Sequence, residues 1–213
     1  TGGIVSGRRF FYLRDGSSPQ GGSWYTRKGF RMMHLRDLTT FIPQPVRYEL
    51  RRALHRGSGI RCELCGTEVR GFKAHGGGAE VLERRQVVGG MKREGDRCPV
   101  CHGRDRTRLM MRYLQEETAL GTEVRDILHV APDLGLYLWL KRQPGVRYTG
   151  ADLDAGRYRH IENFRTCDLT AAPFPDASFD VVLCSHVIEH IPDDAKAFSE
   201  TFRILPPGGR ALL

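Results

Sequence analysis

The pattern of apolar and polar positions divides the chain into an irregular front and a regular back. From residue 123 onward, short apolar runs alternate with amphipathic stretches. Residues 124–130 (VRDILHV), 146–152 (VRYTGAD), 164–168 (FRTCD), 179–185 (FDVVLCS) and 210–213 (RALL) read as strands. An apolar helix reaching Leu140 follows the first run, and a helix over 195–204 leads to the turn Pro206-Pro207-Gly208-Gly209 before the last. Parallel strands with crossover helices are expected, giving an open, twisted α/β sheet. Such a sheet binds its ligand beyond the C-terminal ends of its strands.

The front is less periodic. Residues 10–13 (FFYL) read as a short strand, followed by a loose Gly/Ser-rich loop to Ser23. Residues 46–56 (VRYELRRALHR) are more regular: Val46, Leu50, Ala53 and Leu54 recur at helical spacing, Pro45 starts the helix and Gly57 stops it. Arg47, Arg51, Arg52 and Arg56 form its basic flank. Residues 109–114 (LMMRYL) have the spacing of a helix buried along one face, and it should join front to back rigidly.

Composition narrows the class. With 213 residues, 40% hydrophobic and 27% charged, the chain suits a globular protein of one full domain plus a small module. No apolar run reaches about 18 residues, so no membrane span or membrane partner is expected. The N-terminal residues lack the long apolar core of a secretory signal, and a cytoplasmic location is expected. The net charge of +8 is uneven: residues 1–110 carry +12 and residues 111–213 carry −4. That asymmetry either steers an anionic partner toward the front or marks a solvated, arginine-rich surface. Aromatic and basic residues interleave over 24–36 (WYTRKGFRMMHLR), which suits stacking on RNA or packing against the chain's own domain.

The six cysteines do not resemble a disulfide framework. Four form two tight pairs, Cys62-Glu-Leu-Cys65 and Cys98-Pro-Val-Cys101, separated by 32 residues; Cys167 and Cys184 are isolated in apolar surroundings. Two C-x2-C knuckles supply four thiolates, the set that closes a tetrahedral structural zinc site. An iron–sulfur cluster, disulfides or unligated thiols are the alternatives. Four thiolates leave no open coordination position, so the metal should hold structure rather than activate water. His102, next to the second knuckle, is expected behind the ligands or in solvent. The spacer, with Gly76-Gly77-Gly78 and Gly89-Gly90, reads as a loop or weak hairpin. The alternating arginines and aspartate of 103–108 (GRDRTR) are expected to brace the knuckle against the next helix.

The stretch Phe174-Pro-Asp-Ala-Ser-Phe-Asp-Val-Val-Leu-Cys-Ser-His-Val-Ile-Glu-His-Ile, followed by Phe202-Arg-Ile-Leu-Pro-Pro-Gly-Gly-Arg, carries a specific resemblance. Residues 123–213 resemble the first two-thirds of a class I S-adenosylmethionine-dependent methyltransferase domain. Together with Leu128-His-Val-Ala-Pro-Asp, the cysteine-rich stretch resembles a subgroup that places a zinc-binding segment before that domain. The implied fold is α/β: a Rossmann-like class I sheet, C-terminally incomplete because the sequence stops inside the fifth strand, preceded by a small zinc-binding module. The implied organisation is a basic arm over 1–61, a four-cysteine zinc-binding module over 62–110 and the methyltransferase domain over 111–213.

The resemblance also assigns roles. Ala131, Asp133 and Gly135 in the first loop would approach the methionine part of S-adenosylmethionine. Asp152, with Leu153 beside it, would accept from the ribose hydroxyls. Asp168 and Leu169 would border the adenine. Ser185 and His186 would line the methyl-transfer path, with His186 the candidate base; His190 is a weaker one and Glu189 a packing residue. The loop His129-Val-Ala-Pro-Asp-Leu-Gly departs from the family's ExGxGxG by lacking two glycines, and Pro132 removes a backbone N–H. The expected activity is methyl transfer to a small-molecule acceptor, a natural product or sugar-like metabolite, anionic if the basic front is informative. RNA is the second acceptor class, and a noncatalytic RNA- or protein-binding module the third reading.

Overall fold

A computed structural model describes residues 42–213 except Gly78, Val88, Gly89, Gly90, Met91, Ala119, Gly121 and Val124. The expected strand at 10–13 and the aromatic–basic stretch at 24–36 lie outside the described residues. The front comprises α1 (Gln44–His55), β1 (Arg56–Arg61), β2 (Glu68–Val69), β3 (Lys73–His75), α2 (Glu80–Arg84), β4 (Arg93–Arg97) and α3 (Asp105–Glu117). The back comprises β5 (Arg125–Val130), α4 (Leu134–Leu140), β6 (Val146–Asp152), β7 (Phe164–Thr166), β8 (Val181–Cys184), α5 (Asp194–Arg203) and β9 (Arg210–Leu212).

The back is a five-stranded sheet in the order β7-β6-β5-β8-β9, and every neighbouring pair is parallel. The order reverses between β5 and β8, which opens a crevice at their C-terminal ends. All four residues of β8 are buried, as a central parallel strand covered on both faces requires. Side chains alternate across the sheet. Ile127, Val181 and Leu183 face α4 and the cysteine knuckles, while Leu128, Val130, Val182 and Cys184 pack with Ala197 and Ile204 on the α5 side.

The front and back share one core. Cys62, Leu64, Val69, Cys98, Val100 and Cys101 pack in the same cluster as Met111 and Leu114 of α3, Leu136, Trp139 and Leu140 of α4, and Ile127, Val181 and Leu183 of the sheet. α3 runs without a break across residue 110, the proposed end of the module. α1 and β1 contact the knuckles: β1 pairs with β2 around the first cysteine pair, Tyr48 packs on the shared core, and Arg51 Nε donates to Val100 O at 2.8 Å.

α1 forms where its spacing places it, but with the opposite face inward. Val46, Leu50 and Leu54 are exposed, at 48%, 57% and 70%. The Tyr48–Arg51 side meets the knuckle instead, because the turn at Val100 presents a carbonyl that needs a donor. The spacer between the knuckles is a hairpin, β3 antiparallel to β4, with the short α2 in its loop.

Candidate functional site

The four paired cysteines converge. Their Sγ atoms all lie within 4.8 Å of one another, and Cys62 Sγ and Cys101 Sγ are 3.8 Å apart. The two knuckles use the same local geometry. Gly66 N donates to Cys62 O at 2.7 Å, and His102 N donates to Cys98 O at 3.0 Å. The residue closing each turn is left-handed, Gly66 at φ +72 and His102 at φ +63. Glycine takes that conformation freely; histidine does so only because the knuckle fixes it. The His102 ring is partly buried, and burial followed by the nearby Arg51 charge pushes its pKa down to about 4. Among the sulfurs, mutual contacts push the Cys101 thiol far up and hold the Cys65 thiol far down. Four crowded sulfurs without a disulfide suit a thiophilic divalent cation, which removes the conflict by holding all four as thiolates.

The arginines after the second knuckle brace it as expected, with one exception. The buried Asp96 carboxylate accepts from Asp105 N at 2.8 Å and sits 3.8 and 3.9 Å from Arg104 and Arg108. Arg108 also donates to Asp96 O at 2.9 Å and lies over the Phe72 ring. Arg106 points the other way, toward the strand ends, where its guanidinium meets His186 Nε2 at 2.7 Å.

The first knuckle reaches the sheet through Leu64, which is fully buried. A Cβ on Gly135 would stand 3.1 Å from Leu64 Cδ1 and 3.2 Å from Gly103 Cα. Gly135 therefore admits the knuckle to the start of α4, and the structure places it away from the strand-end cavities. Arg142 ties the same contact by donating to Leu64 O at 2.6 Å. Asp133 Oδ1 accepts from Gly135 N and Leu136 N at 2.8 and 3.2 Å, capping α4. Its carboxyl is nonetheless raised, by burial, and its backbone N–H leans on His129 Nε2 at 3.4 Å. His129 lies one residue before the end of β5. It is wholly enclosed, its pKa pushed down to about 3 by burial, so it is a neutral ring accepting at Nε2 and donating from Nδ1 to the Tyr148 hydroxyl at 3.2 Å.

Beyond the C-terminal ends of β5, β6, β7 and β8 lie two neighbouring cavities that share Val130. The first, about 400 Å³, is mainly apolar and is lined by Asp152, Leu153, Cys167, Asp168 and Leu169 on one side and Val187, His190 and Ile191 on the other. Leu153 stands 70% exposed at its rim. Asp152 Oδ1 accepts from Asp154 N at 2.9 Å. Asp168 Oδ1 accepts from Thr170 N and Oγ1 at 2.9 and 2.8 Å, which holds its carboxyl below the usual range. These bonds engage Oδ1 of each acid. Burial pushes the Cys167 and Cys184 thiols up to about 11 and about 12, so both stay protonated near neutrality.

The second cavity, about 280 Å³, is lined by Ala131, Asp133, Ser185 and His186 together with Arg106, Arg157 and Tyr158. Ala131 is left-handed, at φ +48, where the expected loop would carry its first glycine. His186 is also left-handed, at φ +57, and its Nδ1 lies 3.0 Å from Glu189 Oε1. With Nε2 accepting from Arg106 and Nδ1 donating to Glu189, the ring has no free lone pair for a substrate proton. The strand-end pattern gives no sign of Arg106, which enters from 80 residues upstream of His186. A further cavity of about 340 Å³ lies at the N-terminal edge of the sheet, where its charged lining pairs internally: Arg125 with Asp180 at 3.8 Å and Arg210 with Glu117 at 3.6 Å.

Among the described residues, no helix is long and apolar enough to cross a membrane. The family described as "Methyltransferase domain" matches residues 134–213. A demethylmenaquinone methyltransferase of Thermus thermophilus is 35% identical over 109 residues, covering 46% of this chain and 50% of the relative. Its counterpart from Deinococcus radiodurans is 36% identical over 107 residues, covering 45% and 44%. The chain thus spans about half or less of the curated relatives it matches. Among solved structures, the YcgJ protein of Bacillus subtilis aligns with a TM-score of 0.37 at 23% identity, covering 46% of this chain and 45% of that one. Residues 134–213 carry the methyltransferase-domain match and contribute four of the sheet's five parallel strands, with β5 lying just before them.

Proposed function

We propose that this chain transfers the methyl group of S-adenosylmethionine to a small-molecule acceptor. The observation that carries the reading is the placing of Asp152 and Asp168 at the ends of adjacent parallel strands, on one wall of a largely apolar cavity at the switch point of the sheet. The cavity suits a flat, apolar base flanked by two hydrogen-bond acceptors. Asp152 would accept from the ribose hydroxyls, Asp168 from the exocyclic amine, and Leu153 and Leu169 would cover the adenine. The cofactor's sulfonium supplies an electrophilic methyl group, so the chain's task is alignment and exclusion of water. Ala131 and Ser185 would flank the methionine portion, and Arg106 would pair with its carboxylate. His186 is better read as the residue that orients Arg106 than as a base, since Arg106 and Glu189 occupy both ring nitrogens. The four thiolates would hold a structural zinc that fixes the knuckles under α4. Asp133 supports the loop by capping, and Gly135 by admitting Leu64.

The test is calorimetric titration of S-adenosylmethionine, and separately S-adenosylhomocysteine, into zinc-loaded protein. Micromolar binding that weakens about tenfold or more in Asp152→Asn would support the site. Folded protein that binds neither compound would leave the noncatalytic reading.

A further inference from the structure

Next to the methionine-side cavity, a second cleft opens between α1, the second knuckle and the 155–160 turn. Its two lobes, about 260 and 450 Å³, share Gln44, Arg47, Arg157 and His160, and the smaller also meets His102. Pro132, Asp133, Arg157 and Tyr158 line both this cleft and the cavity that holds Ala131 and His186, so the two spaces are contiguous.

The cleft is strongly cationic, with Arg157 lying over the Tyr158 ring at 5.5 Å. Arg47, Arg157 and Arg159 line it, and among the described residues none of them is paired with a carboxylate. For contrast, Arg112 meets Glu63 at 2.7 Å, Arg203 meets Glu200 at 2.8 Å, and Arg108 lies 3.9 Å from Asp96. Two polar atoms of the lining are buried without a hydrogen-bond partner, Arg47 Nε and His102 Nδ1. Burying such atoms unpaired is unfavourable unless a ligand or water completes them. The one carboxylate in the lining, Asp133, already accepts two backbone N–H groups. Arg47 lies near enough to His160 that its charge, after burial, helps keep that ring neutral, and a neutral ring still offers one N–H.

We propose that this cleft is the acceptor's anion subsite, taking a phosphate or diphosphate group of a small molecule whose remainder extends toward the methyl-donor cavity. Planar guanidinium groups from α1 and from the turn after β6 line one concave space, an arrangement suited to the several oxygens of a phosphate. The substrate class rests on the methyl-transfer reading; the anion site does not.

Inorganic phosphate and pyrophosphate are titrated calorimetrically into the zinc-loaded full chain, with and without saturating S-adenosylhomocysteine. One pyrophosphate site is expected, with affinity changed less than about twofold by S-adenosylhomocysteine and weakened about fivefold or more in Arg47→Gln and in Arg157→Gln. Arg61→Gln, at an exposed position on β1, should leave it unchanged. Absence of binding, undiminished binding by both cleft variants, or competition with S-adenosylhomocysteine would each overturn the subsite. A short oligouridine that binds more tightly than pyrophosphate, and depends on the same two arginines, would overturn the small-molecule assignment in favour of RNA. Pyrophosphate binding without any S-adenosylhomocysteine binding would keep the anion site and overturn the methyl-transfer reading instead.

Discussion

The cysteine region and the parallel sheet reach order by opposite routes. The sheet is built from continuous apolar strands that bury one another, so its order follows from area removed from water. Among its described residues the knuckle region buries only Cys62, Leu64, Val69, Cys98, Val100 and Cys101 as apolar side chains, and three of those six are metal-ligand candidates. So little apolar surface does not stabilise an independent domain. The region holds its shape through four converging sulfurs and through Leu64, which it inserts into the sheet's own core. The comparison teaches that the four-cysteine cluster and the strand-end cavities belong to one cooperative body. α3 leaves the second knuckle and delivers Arg106 to His186 in its first turn.

The largest effect that would break this comparison is loss of a thiolate. Cys98→Ser is expected to abolish zinc retention and to destabilise the sheet together with the knuckles, since structural zinc supplies about 10 kcal/mol in small folds. Metal analysis with circular dichroism at rising temperature checks it. Next in size is the packing joint. Leu64→Ala should cost about 2–5 kcal/mol and Gly135→Ala about 1–2 kcal/mol in urea unfolding, with the double variant losing less than the sum because the added methyl enters the space Leu64 vacates.

Smaller again, for each unit of pH, is an effect confined to the sheet. His129 binds a proton in the unfolded chain near its ordinary 6.5 but only near about 3 when folded. The unfolded state therefore takes up more protons across that window, and stability should fall as pH drops below about 6.5, by up to about 1.4 kcal/mol per unit. His129→Asn should flatten that slope in denaturation curves at successive pH values. The smallest effect expected is that of Arg106→Ala, about threefold to tenfold in S-adenosylmethionine affinity with no shift in melting temperature, read by calorimetry.

Much of this was legible in the chain itself. The five strands, the acids at the ends of β6 and β7, and the cysteine pairing depend on local periodicity and spacing, and the structure places them within a residue or two of the expected bounds. What was not legible depends on approach from far along the chain. Gly135 reads as a cofactor-loop glycine until Leu64, 71 positions earlier, is seen against it. The apolar spacing of α1 locates the helix but not its inward face, which a carbonyl at Val100 decides. His186 reads as a base until Arg106 is found on its Nε2. The cleft arginines are spread over Arg47, Arg157 and Arg159, and no linear spacing marks them as neighbours.

The central claim, one cooperative body linking metal and strand-end cavities, is tested most directly by following zinc release and S-adenosylhomocysteine binding during stepwise chelation of the full chain. The account predicts that binding capacity, sheet circular dichroism and bound zinc fall together in a single transition. A sheet that stays folded and binds the ligand with unchanged affinity after all zinc has left would contradict it.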